Sequence, residues 1–174
     1  MPEQRAVLDS VIQSSTIEVF QAYGIAVAPI PRFSTVPKDK DLEDYLAGLT
    51  TFAGRGFNGT LTLLLPQETL SLARHDITRP ASSLDWTREL TNQLIGRIKN
   101  RLMQFQVSAQ SGLPTAMSGP SLPRRGNRAA PFAVYGFRTL RREVVVTLTG
   151  AVDYSIFVYS GMVSTANEGD IILF

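Results

Sequence analysis

Apolar residues recur along this chain at two spacings, and the switch between them separates helices from strands. Leu8, Val11, Ile12, Ser15, Val19 and Ala22 fall on one helical stripe and predict a helix over 3–23, stopped by Gly24. Residues 25–36 are apolar but carry Pro29 and Pro31, with Pro37 next. Proline cannot donate to a central ladder, so this stretch reads as an extended edge segment or a loop. The charged run 38–44 reads as solvated. From Leu49 onward the period shortens to two. Residues 50–55 form one candidate strand and 58–65 a stronger one, in which Leu61, Leu63 and Leu65 alternate with Thr60, Thr62 and Leu64. A turn over 56–59 joins them, and Pro66 ends the second.

A short helix is expected over 67–76, then a break at Pro80 and the serine pair. The longest helix begins near Ser83 or Asp85, both acceptable N-caps, and runs to about Val107, with Gly112 and Pro114 beyond it. A short strand follows at 113–117. Residues 118–131 hold three prolines, two glycines, Arg124, Arg125 and Arg128. They read as a flexible basic loop, either a soluble hairpin tip or a contact for an anionic partner. Further strands are predicted at 132–138, 144–149 and 154–159, and 163–174 is a tail in which 171–174 would add an edge strand. Residues 144–163 carry one charge, Asp153, and resemble a membrane span in hydropathy alone. Their strict alternation, with Gly150 and Asp153 as a turn, argues instead for two paired strands and no membrane insertion. The whole chain, 1–174, reads as a single α+β domain with helices packed on an antiparallel or mixed sheet.

Composition narrows the chemistry. The chain has 174 residues, 17 basic and 15 acidic, for a net charge of +2, which gives no reason to expect a nucleic-acid partner. It has no cysteine, so disulfides, thiolate zinc sites and cysteine nucleophiles are excluded. Its one histidine, His75, leaves no multi-histidine metal site and no triad built elsewhere. Glu3, Arg5 and Asp9 interrupt the first residues, unlike a secretory leader, so the cytoplasm is the expected location. No phosphate-binding glycine loop is present, and no cofactor is expected on this chain.

The long helix is the informative element. On a helical wheel Leu90, Leu94, Ile95, Ile98, Leu102 and Phe105 make the core face. Glu89, Asn92, Gly96 and Met103 fall on the opposite side, within roughly 60° of one another. A carboxylate and a carboxamide therefore stand side by side, pointing outward. Gly96 costs the helix about 1 kcal/mol relative to alanine, on a face where core packing does not ask for it. Close approach by another molecule's backbone would. Taken alone the pair is weak evidence, since chance gives roughly 0.2 such Glu–Asn spacings in a chain of this composition.

The stretch from Glu89 through Asn92, Leu94, Gly96, Lys99 and Leu102 resembles the signature helix of the CheC/CheX/FliY phosphatases of bacterial chemotaxis, E-x-x-N-x-h-x-G-x-x-K-x-x-L, with h apolar. Pro114-Thr115 with Gly119 resembles that family's P-T-x-x-x-G strand, and 54–66 its strand–glycine turn–strand, with Gly56 and Gly59 in the turn. The likeness covers about residues 1–160. Double-site members carry a second E-x-x-N on an equivalent helix. Here the first helix offers only Asp9 with Ile12 or Glu18 with Gln21, as in the single-site CheX branch. Arg97 departs from the pattern, where many members have a small or polar residue.

The resemblance implies a CheC-like fold and hydrolysis of the aspartyl phosphate of a CheY-like receiver domain. In that reaction Asn92 would orient the attacking water and Glu89 would dock to the receiver's active-site lysine. Mg²⁺ would come with the receiver. A homodimer is implied as well. The alternative on the same scaffold is a non-catalytic binding module for a receiver or for a signalling or flagellar partner.

Overall fold

In the computed structural model, which describes residues 2–74 and 82–157, the two spacings resolve into two α-helices and seven strands among those residues. They are α1 (Pro2–Ala22), β1 (Ala28–Pro29), β2 (Tyr45–Gly54), β3 (Phe57–Pro66), α2 (Ser83–Met103), β4 (Ala109–Ser111), β5 (Thr115–Ser118), β6 (Pro131–Arg138) and β7 (Glu143–Val152). All pairings are antiparallel. The order across the sheet is β1-β6-β7-β3-β2, and β4 and β5 both pair with the remaining side of β2. The β2–β3 hairpin is in register from Tyr45↔Pro66 to Gly54↔Phe57, across a tight turn at Arg55-Gly56, where Gly56 takes φ +71°.

Strand alternation sorts the side chains onto two faces. Leu61, Leu63 and Leu65 of β3 join Val144, Val146 and Leu148 of β7 on the helix-covered face. There they meet Leu8, Ile12, Val19 and Phe20 of α1 and Leu90, Leu94, Ile95, Ile98 and Leu102 of α2, all buried. The opposite face carries a smaller apolar cluster of Leu42, Tyr45, Ala47, Leu64, Leu122 and Val145. Helix α1 is fixed to the sheet by a polar tie: the Tyr135 hydroxyl donates to Asp9 Oδ1 at 2.7 Å. Burial first, and this contact with Asp9 second, push that hydroxyl's pKa far above the ordinary tyrosine value.

Several expectations change. The predicted break at Gly150 is absent. Strand β7 continues through it to Val152, and Gly150, at φ +120°, stands opposite Gly59 of β3. A Cβ on either glycine would strike the partner strand's backbone, so the two mark a close approach of β3 and β7 rather than turns. Tyr154–Ile156, expected as strand, is a 3-10 turn capped by Asp153, whose carboxylate accepts from Ser155 N–H at 3.0 Å. The Asp153 side chain bonds forward to the backbone and so favours a turn over a ladder. The short helix after Pro66 is a 3-10 turn, Gln67–Leu72. Within 118–131 the chain makes 3-10 turns at Gly119–Ser121 and Arg125–Asn127, buries Leu122, and ties Arg128 to Asp39 at 2.5 Å. His75, residues 158–159 and the 163–174 tail lie outside the described residues.

Helix α2 lies directly on β2, and one contact sets how closely. A Cβ on Gly48 would collide with the Thr91 side chain and sit 3.2 Å from the Thr87 carbonyl oxygen. Gly48→Ala is therefore expected to lower stability by about 1–3 kcal/mol in urea denaturation, through overpacking between helix and sheet. Adding Thr91→Ala, which removes the Oγ1 that the new methyl meets first, is expected to restore part of that loss.

Candidate functional site

Helix α2 is fixed at its start, along its buried face and on both flanks. Its N-cap is Ser82, one residue ahead of the nearer expected cap. Ser82 Oγ accepts from Asp85 N–H at 3.0 Å and its hydroxyl donates to Asp85 Oδ2 at 2.8 Å, a reciprocal cap. The helix ends at Met103 rather than near Val107, because Gln106 takes a positive φ of 59° and turns the chain toward the sheet. Trp86, Thr87, Leu90, Thr91, Leu94, Ile95, Ile98 and Leu102 are buried. The two buried threonines need no outside partner, since Thr87 Oγ1 donates to Ser83 O at 2.8 Å and Thr91 Oγ1 to Thr87 O at 2.7 Å.

With that face pinned, Glu89 and Asn92 are both exposed, one turn apart. The space in front of Gly96 is open, with nothing within 4 Å of where a Cβ would be, and Met103 is 48% exposed further along. The flanks of this strip are tied down. On the α1 side Glu18 holds Arg101 and lies 3.7 Å from Arg97. Arg97, the departure from the family pattern, therefore points to α1 and away from Asn92. On the other side Lys99 Nζ donates to Ser111 Oγ of β4 at 3.2 Å.

The two polar residues differ in their commitments. The Asn92 carboxamide makes no hydrogen bond to the described residues, so its donor and acceptor are both open to solvent or a partner. Glu89 Oε1 accepts from Gln93 Nε2 at 2.9 Å, and the same nitrogen donates to the Tyr23 hydroxyl oxygen at 2.9 Å. Tyr23 lies just past α1 and packs its ring on Trp86, centroids 5.6 Å apart and tilted by 58°. Burial raises the Tyr23 hydroxyl's pKa above the ordinary value. The Gln93 hydrogen bond opposes that rise and the Glu89 charge adds to it. The Glu89–Gln93 spacing of four residues was readable in the sequence. The part played by Tyr23, seventy residues from Gln93, was not.

The site is an open surface rather than a pocket. A hollow of about 680 Å³ on the far face of the sheet, floored by Thr62, Leu64 and Thr147, includes neither Glu89 nor Asn92. Among the described residues no group of three or more His, Cys, Asp or Glu could hold a metal ion, and no helix is long and apolar enough to cross a membrane. Asn58, the second residue of β3, is used locally: its Oδ1 accepts from Gly54 N–H at 3.1 Å.

No protein-family model and no curated protein sequence matches the chain. Solved structures do match. The chemotaxis protein CheX from Vibrio vulnificus superposes with a TM-score of 0.64 at 14% identity, over 82% of this chain and 95% of its own. A CheC-like superfamily protein from Shewanella gives 0.62 at 15% identity, over 82% and 96%. The fold is CheC-like. A chain of the CheX–CheY–BeF3–Mg²⁺ complex from Borrelia burgdorferi also superposes, at 0.55 and 10% identity, over 80% of this chain and 95% of its own. The chain thus spans nearly the full length of these CheC-like neighbours, and at such identities the likeness establishes the architecture.

Gly96 gives a direct test of how open the strip is. Gly96→Ala meets no neighbour and gains helix propensity, so it is expected to raise stability by up to about 1 kcal/mol in urea denaturation. A loss of stability would mean that the face is covered in solution.

Proposed function

We propose that this chain is a CheX-like phosphatase of the CheC/CheX/FliY family that hydrolyses the aspartyl phosphate of a CheY-like receiver domain. The observation that carries the proposal is the outward pairing of Glu89 with an uncommitted Asn92 carboxamide on one rigid helix. The CheC-like fold supports it, as does the existence of a CheX–CheY–BeF3–Mg²⁺ complex among proteins of that fold.

In this mechanism a water attacks phosphorus in line. The bond between phosphorus and the aspartyl oxygen breaks, the receiver's carboxylate leaves, and inorganic phosphate forms. The receiver supplies Mg²⁺ and a lysine around the phosphoryl group, which leaves the phosphatase the task of placing the water. Asn92 does so by accepting one hydrogen bond and donating another, with no change of protonation. Glu89 pairs with the receiver's lysine and sets the docking register, a charge-assisted contact that strengthens as the interface excludes water. Gly96 lets the receiver's backbone approach beside the pair. The homodimer implied by the resemblance and the cytoplasmic setting expected above belong to the same proposal.

The test is the lifetime of phosphate on CheY-like receivers from the same genome, with and without the purified chain. Asn92→Ala is expected to cut the stimulated rate at least about 100-fold while leaving the melting temperature unchanged. Glu89→Ala is expected to raise KM by about tenfold or more. If Asn92→Ala accelerates dephosphorylation as well as the unaltered chain, the catalytic assignment is wrong. If the unaltered chain binds a phosphorylated receiver without shortening its lifetime, the protein is a binding module on this scaffold.

A further inference from the structure

The carboxylate assigned to docking is held by a side chain outside the family-like motif. In E-x-x-N-x-h-x-G the residue after Asn92 is unspecified, so the resemblance gives Gln93 no role. The geometry does. Gln93 Nε2 has two hydrogens and spends both, one on Glu89 Oε1 and one on the Tyr23 hydroxyl oxygen, each at 2.9 Å. A carboxylate can only accept, so the amide must turn its NH₂ toward Glu89, which fixes which end of Gln93 faces the site. Glu89 Oε2 makes no hydrogen bond to the described residues and stays open to an incoming cation.

Tyr23 is the anchor of this relay. Its ring rests on Trp86, which is 4% exposed, so the tyrosine is braced against the core. Its backbone carbonyl accepts from Arg74 N–H at 3.0 Å, which ties the end of α1 to the segment after β3. An ordinary surface pair at i,i+4 lacks such an anchor and leaves both side chains free to turn. Here the glutamine is held from the far side by another element. Since the Tyr23 oxygen accepts from Gln93, its own hydroxyl hydrogen is not used in that bond.

Resting on the phosphatase proposal above, we infer that Gln93, braced by Tyr23, is a positioning residue that presents the Glu89 carboxylate to the receiver's lysine. It acts on docking and leaves the placement of water by Asn92 untouched.

Steady-state dephosphorylation of a responsive receiver tests this with the full chain, Gln93→Met, Tyr23→Phe, Glu89→Ala and the double variant Gln93→Met/Glu89→Ala. Gln93→Met keeps the side chain's length and removes its donors. It is expected to raise KM about fivefold with kcat held within about twofold. Tyr23→Phe keeps the ring on Trp86 and is expected to raise KM about two- to threefold. In the Glu89→Ala background Gln93→Met is expected to change KM by less than about 1.5-fold, because its effect passes through the missing carboxylate. A purely structural loss would act alike in both backgrounds and would lower the melting temperature. The inference is overturned alone if Glu89→Ala raises KM while Gln93→Met does not, or if Gln93→Met acts equally with and without Glu89. If the unaltered chain shortens no receiver's phosphate lifetime, the phosphatase proposal fails and takes this inference with it.

Discussion

The rotation of α2 about its own axis is the constraint on which the rest depends. A helix on a flat sheet can in principle roll, and a roll of one residue is 100°. Four features prevent it here. Leu90, Leu94, Ile98 and Leu102 make a buried stripe over the strands, and Gly48 leaves a notch in β2 that the Thr91 side chain fills. Glu18 holds Arg101 from one flank, and Ser111 holds Lys99 from the other. The Glu18–Arg101 ion pair is worth little alone, and so is the Lys99–Ser111 hydrogen bond. The buried stripe supplies most of the energy and the flanking contacts supply direction. The consequence is that Glu89 and Asn92 have no inward alternative.

This arrangement suits a site whose chemistry is completed by a partner. An enzyme that holds its substrate in a cavity must exclude water and assemble charge within itself. The α2 strip does neither, and the one ionisable group among Glu89, Asn92, Gly96 and Met103 is the Glu89 carboxylate. In the phosphatase proposal the metal and the cation come with the receiver, so what this chain has to supply is order. Order is what a two-sided clamp on a capped helix provides, because most of the entropy of fixing the groups is lost on folding rather than on docking. The lone histidine and the absence of cysteine fit the same division, since an amide orients water without titrating.

How much of this could be read from the sequence depends on range. The α2 core face was legible because its apolar period runs from Leu90 to Phe105, through about four turns. The Glu89–Asn92–Gly96 face followed from the same wheel. The β2–β3 hairpin was legible from strict alternation and a glycine turn, although β2 begins at Tyr45, four residues earlier than alternation from Leu49 suggested. Gly150 was misread because a glycine in a turn and a glycine where two strands crowd each other look identical in one dimension. Only its partner Gly59, ninety-one residues away, tells them apart. Asp153 was read correctly as a turn former, but the strand predicted after it gave way to a 3-10 turn once its carboxylate bonded to Ser155. The hold on Glu89 was invisible for the same reason as Gly59, because it requires α1 to end beside α2.

That last contact shows why a short motif underdetermines a site. The pattern around Glu89 specifies which groups face outward, and nothing in it says how firmly they are held. Stiffness comes from residues whose positions depend on the packing of other elements: Tyr23 at the end of α1, Trp86 beneath it, and the Arg74 backbone that meets the Tyr23 carbonyl. These lie outside the helix pattern and can differ between proteins of one fold without altering the outward face. Two chains with the same Glu and Asn can then hold a carboxylate differently, one braced and one free to turn. Since an unbraced carboxylate must be ordered during docking, the difference falls on affinity for the partner rather than on the bond-breaking step. Under the phosphatase proposal, partner choice would then depend on what stands behind the carboxylate as well as on the carboxylate itself.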